Sequence, residues 1–203
     1  MTQAHAGDGQ AQDKEVAELL DTAQLHHQGG DLERAEDFYR EVLNRDPSKA
    51  AAHNGLGLIA LQVGQNEIAE QIFGTAIALD ADDPVYHCNL GTALFAQARL
   101  PEAEEQYRKA LELDPEYGEA QLNLGLTLKA LKRLEEARDA LDRAVVLRQE
   151  DPQPFANLAE VLFQLGQLDD AKEIVRAAVN LGPRDTDTRL TAARVLRSLG
   201  LAR

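Results

Sequence analysis

The residues with the clearest capacity for chemistry are two histidines and the single cysteine: His53, His87 and Cys88. Imidazole and thiolate groups are favoured zinc ligands, and a zinc site needs its ligand atoms to converge at about 2.0–2.3 Å from one ion. His53 and His87 lie 34 residues apart. His87 and Cys88 are neighbours in sequence, so on a helix their side chains diverge by about 100°. This spacing predicts that the three side chains do not share a metal ion.

Motifs for catalysis are absent from the sequence. It contains no glycine-rich phosphate loop, no nucleophile elbow around a serine and no helical zinc-protease motif. Adjacent carboxylates occur at Glu104 and Glu105 and again at Glu135 and Glu136, where the surrounding pattern places them on the solvated side of a helix. The sequence therefore predicts a protein without catalytic residues, without a cofactor and without a bound metal.

An internal repeat with a period of 34 residues positions these side chains. Asn89, Asn123 and Asn157 recur at this spacing, each followed by leucine. Three further series keep the same register, one of alanine, one mostly aromatic and one of small residues. They are Ala35, Ala69, Ala103, Ala137 and Ala171; Tyr39, Phe73, Tyr107, Leu141 and Val175; and Val42, Ala76, Ala110, Ala144 and Ala178. Four series in one register indicate tandem copies of one structural unit.

Each copy contains two helical segments separated by a turn, because its apolar residues recur every three or four positions. Gly30, Gly64 and Gly166 occupy the turn, where glycine accommodates a left-handed backbone conformation. Lys132 and Ala98 replace glycine in the other two copies. The pattern predicts helices near 17–28 and 32–45, 50–63 and 66–79, 84–97 and 100–113, 118–131 and 134–147, and 152–165 and 168–181.

The unit length, the small-residue and aromatic positions and the prolines at Pro47, Pro115 and Pro183 closely resemble the tetratricopeptide repeat family. The resemblance implies an all-α fold, a right-handed α-solenoid of helix–turn–helix units. It implies five repeats at 16–49, 50–83, 84–117, 118–151 and 152–185, then a capping helix and C-terminal tail over 186–203. Residues 1–15 lack a strong apolar period, so we expect a disordered N-terminal tail there.

Close approach of two paired helices explains the small residues of this signature. We expect Gly57 to face Ala69 and Gly125 to face Ala137, each within its own helix pair. A single helix pair cannot bury its apolar face, so we expect neighbouring pairs to stack into one continuous core.

The resemblance also implies where a partner binds, since the first helices of the repeats line a concave groove in this family. Carried onto this sequence, the groove positions hold asparagines, apolar side chains and a few charged groups. They are Asn54, Leu58, Leu61, Cys88, Asn89, Phe95, Leu122, Asn123, Leu126, Lys129, Asn157, Glu160, Phe163 and Arg194. Asparagine amides both donate to and accept from an extended peptide backbone. We expect Phe95, Leu122, Leu126 and Phe163 to be partly exposed beside them, as an apolar strip that marks a binding surface.

Charge and hydropathy limit the classes of partner. The 203 residues carry 21 basic and 35 acidic groups, and the resulting net charge of −14 disfavours nucleic acid and anionic lipid surfaces. No apolar run reaches the roughly 18 residues that a membrane span needs. A single cysteine excludes an intramolecular disulfide. We therefore expect a cytoplasmic protein that does not bind nucleic acid and does not insert into a membrane.

We interpret the chain as a non-catalytic scaffold or adaptor that binds a peptide or helix of a partner protein in the groove. Two alternatives stay open. Similar arrays are fused to glycosyl-, sulfo- or methyltransferase domains, so the chain would then be the interaction region of a longer enzyme. In the other alternative, copies of a structural protein self-associate. The basic clamp that binds chaperone tails is missing, because Asn54, Cys88 and Leu122 stand at its positions.

The acidic and basic residues are unevenly distributed along the chain. The segment 50–83 has five acidic residues and no basic one, whereas 186–203 has four basic residues and one acidic. Three interpretations of this asymmetry stay open. The surface charge serves solubility, it orients a partner along the groove, or it favours head-to-tail contacts between copies.

Overall fold

The computed structural model describes residues 4–201, with side chains from residue 12 onward. Within that range the chain forms eleven α-helices and no strand, which confirms the predicted all-α fold. From α2 onward the predicted helix bounds agree with the structure to within one residue. The helices are α1 (Ala4–Gln28), α2 (Leu32–Arg45), α3 (Ala50–Gln62), α4 (Asn66–Leu79), α5 (Pro84–Ala96), α6 (Leu100–Leu113), α7 (Gly118–Ala130), α8 (Leu134–Leu147), α9 (Pro152–Gln164), α10 (Leu168–Asn180) and α11 (Thr186–Ser198).

Aspartate residues cap the N-termini of three helices, α5, α9 and α11. The carboxylates of Asp83, Asp151 and Asp185 each accept a hydrogen bond, at 2.7–2.9 Å, from a backbone N–H in the first turn. Pro84 and Pro152 follow two of these caps at the first helical position, where a missing N–H costs nothing. The sequence thus fixes where α5, α9 and α11 start.

The turns between paired helices contain the predicted left-handed residues. The backbone φ is +78° at Gly30, +77° at Gly64 and +78° at Gly166. The equivalent Ala98 and Lys132 adopt the same region, with φ of +59° and +63°, although neither is glycine. The five residues that the sequence aligned at one turn position thus share one left-handed backbone conformation.

Replacing Lys132 by glycine is expected to raise the free energy of unfolding by about 0.5–1 kcal/mol. A left-handed conformation costs an ordinary residue about 1–2 kcal/mol, and glycine removes this strain. The greater conformational freedom of glycine in the unfolded chain offsets part of the stabilisation. Lys132 is exposed, so no buried contact is lost. Urea unfolding measures the change. Lys132→Ala is the control, because it keeps the strained φ, and an equal gain in both variants would contradict the explanation.

The chain divides into two compact units, here called the N-terminal half (Met1–Gln97) and the C-terminal half (Ala98–Arg203). In the N-terminal half α1 packs on α2, α3 on α4, and both α2 and α4 contact the following odd-numbered helix. Its core is built from buried alanines, Val42, Tyr39 and Phe73. In the C-terminal half α8 packs on α7 and α9, and α11 packs on α9 and α10. Ala192 and Val195 of α11 are buried in that last cluster.

The helix-pair contacts differ in detail from the prediction. A Cβ atom added at Gly57 would lie 2.5 Å from Cε1 of Phe73, and one at Gly125 would lie 2.6 Å from Cγ of Leu141. The carbonyl oxygen of the expected partner Ala137 lies 3.4 Å from the Cβ position at Gly125, whereas the three atoms nearest to that position at Gly57 belong to Phe73 and not to the expected Ala69. The reason for the difference is that the large residue four positions along the second helix fills the space that each glycine leaves, while the alanine lets the backbones approach.

The start of the chain also differs from the prediction. Helix α1 begins at Ala4, whereas residues 1–15 are predicted to be a disordered tail. Extending a helix that already exists requires no new nucleus, and Ala, Gln, Lys and Glu dominate residues 10–15 and have good helix propensity. Arg45 of α2 contacts this extension, with its Nη2 atom 3.1 Å from Glu15 Oε1. Residues 1–3 lie outside the described range.

Candidate functional site

The N-terminal half contains a cavity of about 680 Å³, here called the inner cavity, a volume within the usual range for binding pockets. Helices α1, α2, α3 and α5 contribute to its walls. The lining residues are Gln24, His27, Gln28, Tyr39, Ala51, Asn54, Gly55, Leu58, Gln62, Asp83, Val85 and Tyr86. Side-chain amides are the most frequent polar groups in this set, and no lysine or arginine is among them. The cavity is therefore suited to a ligand that both donates and accepts hydrogen bonds.

Two tyrosines with protonated hydroxyls line the same cavity. Burial, reinforced by the Asp83 carboxylate, raises the pKa of Tyr86 to about 12. Burial also raises the pKa of Tyr39, whose hydroxyl oxygen lies 3.4 Å from His27 Nδ1. Both phenols remain neutral at physiological pH, so they contribute hydrogen bonds rather than charge.

Two of the predicted asparagines contact each other beside this cavity. The Nδ2 group of Asn89 on α5 donates to Oδ1 of Asn54 on α3 at 2.8 Å. Among the described residues, the amide nitrogen of Asn54 and the amide oxygen of Asn89 have no protein partner. The pair therefore presents one donor and one acceptor, which is the combination that a peptide group requires.

In the C-terminal half a charged cluster, here called the inner polar cluster, joins α7, α9 and α11. Lys129 Nζ lies 2.6 Å from Asn157 Oδ1 and 2.9 Å from Glu160 Oε2. The second oxygen of Glu160 lies 2.6 Å from Arg194 Nη2. Asn157 also donates from Nδ2 to the carbonyl of Gln153 at 3.0 Å. Because Asn157 is only 7% exposed and satisfied on both sides, it is a structural link between α7 and α9.

The structure corrects two of the predicted groove residues. Leu122 was expected to be partly exposed but is 2% exposed, and Cys88 is fully buried. Both lie at groove positions of α7 and α5, but their side chains belong to the core.

The other apolar groove residues differ in how far they project. Phe95 is 37% exposed at the end of α5, as expected. Leu58 and Leu61 are half-buried against the cluster around Phe73, and Phe163 is half-buried against the cluster that contains Val195. Leu126, Asn123 and Asn54 are also half-buried. Truncating Phe163 would therefore disturb folding as well as any binding.

Sequence reasoning missed several residues of the inner cavity. Gln24, His27 and Gln28 lie at the ninth, twelfth and thirteenth positions of the first repeat, which are groove positions in the other repeats. Applying the same positions to the first repeat would have found all three. Tyr39 and Tyr86 follow no such rule, because they reach the cavity from core positions.

The histidines considered as metal ligands have structural roles. His53 Nε2 lies 3.0 Å from the carbonyl oxygen of Pro47, and His87 Nε2 lies 3.3 Å from that of Ala81. The two contacts are one repeat apart and tie each first helix to the turn before it. Within residues 4–201 no group of three or more His, Cys, Asp or Glu side chains is arranged to hold a metal ion. Over the same residues no helix is long and apolar enough to cross a membrane.

Comparison with known proteins places the fold in context. The sequence model of the family described as "Cilia and flagella-associated protein 70 C-terminal domain" matches residues 2–202. The structure is similar to that of PilF from Pseudomonas aeruginosa, with 22% identity, a TM-score of 0.83 and coverage of 94% of this chain and 87% of that one. None of the curated proteins compared with the chain matches it.

Two further solved structures are similar to this chain. One is YrrB, described as a TPR protein with an unusual peptide-binding site, with 24% identity, a TM-score of 0.66 and coverage of 91% of this chain and 98% of that one. The other is an O-GlcNAc transferase from Thermobaculum terrenum, with 29% identity, a TM-score of 0.63 and coverage of 66% of this chain but only 26% of that one.

Proposed function

Because the chain belongs to the Cilia and flagella-associated protein 70 C-terminal domain family and has a tetratricopeptide repeat fold, we propose that it is a non-catalytic adaptor that binds an extended segment of a partner protein. The observation that carries the proposal is the inner cavity with its side-chain amides. In the N-terminal half the contact residues are Asn54, Leu58, Leu61, Asn89 and Phe95. In the C-terminal half they are Asn123, Leu126, Lys129, Glu160, Phe163 and Arg194.

An extended peptide fits the inner cavity for a physical reason. Every residue of an extended chain exposes an N–H and a C=O group, and burying them unpaired is costly. The Asn54–Asn89 pair offers one acceptor and one donor, and Gln24, Gln28 and Gln62 offer more. The Tyr39 and Tyr86 hydroxyls add neutral groups of the same kind. These groups satisfy backbone polarity without demanding a particular side-chain sequence.

The proposal is tested with a peptide selected on the folded protein. A phage-displayed library of random 12-residue peptides is panned on the wild-type chain, and a selected peptide is titrated calorimetrically. Asn54→Ala with Asn89→Ala is expected to weaken binding about tenfold, since each amide hydrogen bond contributes about 0.5–1.5 kcal/mol. Phe95→Ala is expected to weaken binding of peptides that extend along α5.

The matched control is Asn44→Ala on α2, whose exposed amide contacts only Glu41 on its own helix, at 3.3 Å. It is expected to leave binding unchanged. The proposal fails if panning returns no peptide above background, or if the Asn54 and Asn89 variant binds as tightly as the wild type while remaining folded.

A second candidate rests on the similarity to the O-GlcNAc transferase, of which this chain covers 26%. In that case the helix pairs form the partner-binding region of a longer enzyme. Reading the gene on both sides of this segment separates the candidates. The cytoplasm is the proposed compartment in both cases, and a single buried cysteine, Cys88, which cannot form an intramolecular disulfide, is compatible with its reducing conditions.

A further inference from the structure

A second cavity of about 380 Å³, here called the outer groove, lies on a different face of α3, with α2 and α4 as its walls. Its apolar lining comprises Leu32, Leu56, Ile59, Val63, Ile68 and Ile72. Val63 is 54% exposed and Ile68 is 48% exposed. Two large branched side chains therefore remain in contact with water at the edge of an apolar depression.

The corresponding groove of the C-terminal half, between α6 and α8, is smaller and is bordered by charged side chains. Its volume is about 200 Å³. Arg133 donates to Glu104 Oε2 at 2.6 Å and to Glu136 Oε1 at 2.7 Å. Arg108 Nη2 lies 2.8 Å from Glu104 Oε1 and 3.4 Å from Glu136 Oε2. These four side chains form a network across the two outer helices.

The N-terminal half has charged equivalents of only two of these four side chains. Glu36 and Arg40, which are 2.6 Å apart, correspond to Glu104 and Arg108. Gln65 and Ile68 stand where the C-terminal half has Arg133 and Glu136. The position of Ile68 is charged in the four other repeats, as Arg34, Glu102, Glu136 and Asp170. Packing of the repeat therefore does not require an apolar residue here.

We propose that the outer groove binds an amphipathic helix of a partner protein, with apolar residues on one face and lysine or arginine on its flanks. A helix pairs its own backbone groups, so it can enter a groove whose central lining offers few hydrogen-bond partners. The amide of Gln65 and the charged groups of Glu33, Glu36 and Arg40 lie among the lining residues. An extended chain would leave buried N–H and C=O groups unpaired there, in contrast to the inner cavity.

The charge around the outer groove favours a basic helix. Helices α3 and α4 contain no lysine or arginine, and the charged side chains that line the groove are Glu33, Glu36 and Arg40. Of the charged lining residues, Arg40 is paired with Glu36, and Glu33 adds a further carboxylate. Lysine and arginine flanks would therefore meet a negative rim, while acidic flanks would be repelled.

The test uses a synthetic 16-residue helix with leucine on one face and lysine on both flanks, labelled for fluorescence anisotropy. We expect the full chain to bind it at least about tenfold more tightly than the same helix with glutamate flanks, and to lose that preference at high salt. The double variant Gln65→Arg with Ile68→Glu introduces into the N-terminal half the two charged residues that the C-terminal half has as Arg133 and Glu136. This variant is expected to weaken binding of the lysine helix at least about tenfold, because burial of the Ile68 side chain is lost.

Three controls make the result decisive. Thermal unfolding verifies that the double variant is folded, and Val63→Gln at the groove edge is expected to weaken binding in the same direction. Asn54→Ala with Asn89→Ala changes only the inner cavity and is expected to leave binding of the lysine helix unchanged, so failure here is separate from failure of the proposed function.

Equal binding of both helices would overturn the proposal, as would undiminished binding by the double variant. Loss of binding only in the Asn54 and Asn89 variant would assign the helix to the inner cavity and overturn it also. Sedimentation of the wild type alone is expected to show a single species of 22.2 kDa. A dimer that the double variant abolishes would make a second copy the occupant, and would contradict a partner helix.

Discussion

Replacing Gly57 by leucine is expected to lower the free energy of unfolding by about 3 kcal/mol or more. A Cβ atom at this position would lie 2.5 Å from Cε1 of Phe73, and the leucine side chain adds three more carbons beyond it. Phe73 has no exposed surface, so its ring cannot move aside without shifting the buried Ala69 and Ala93 around it. Urea unfolding followed by far-ultraviolet circular dichroism measures the loss.

Gly74→Ala provides the matched control for this prediction. Gly74 also lies inside a helix, α4, but a Cβ atom added there meets nothing within 4 Å. Alanine is therefore expected to stabilise the protein by about 0.5–1 kcal/mol through helix propensity and reduced freedom of the unfolded chain. Similar effects of both substitutions would show that helix propensity, and not the contact with Phe73, determines the requirement for glycine at position 57.

The sequence allowed the secondary structure to be predicted closely because its signals are local and repeated. Left-handed turn positions, aspartate caps and proline at the first helical residue each act within a few residues of the chain, and the period of 34 residues presents every signal several times. Lys132 illustrates the strength of the repeat, because it adopts the positive φ of the equivalent glycines although its residue type disfavours that conformation. The unpredicted extension of α1 to Ala4 has no repeat behind it, and only intrinsic propensity indicated a helix there.

The candidate site was less predictable because exposure depends on which neighbours cover a residue. Leu122 and Leu126 both lie on the inner side of α7, one turn apart, yet only Leu126 retains exposed surface. Similarly, Asn157 was predicted as a peptide contact, but Lys129 from a preceding helix occupies its carbonyl oxygen. Such pairing between repeats has no signature in the spacing of either residue. The groove positions therefore identified the correct helices, whereas contacts between helices decided which side chains remain available.

Breaking the ion pair between Lys129 and Glu160 is expected to lower the free energy of unfolding by about 2 kcal/mol. The side chain of Glu160 is 13% exposed and that of Lys129 is 22% exposed, so the pair lies between the exposed and buried limits of about 0–1 and 3–5 kcal/mol. Glu160→Gln leaves the Lys129 ammonium group partly buried opposite a neutral amide. Urea unfolding of Lys129→Met, Glu160→Gln and the double variant gives the coupling energy, which we expect to be about 1–2 kcal/mol.

An exposed pair of the same chemistry provides the control for this cycle. Lys172 Nζ lies 2.9 Å from Asp169 Oδ1, the same separation as between Lys129 and Glu160, but Asp169 is 96% exposed. Water and salt screen this pair, so its coupling energy is expected to be below about 0.5 kcal/mol. Equal coupling in the two cycles would mean that burial does not strengthen the inner pair. In that case the inner polar cluster would not hold α7, α9 and α11 together.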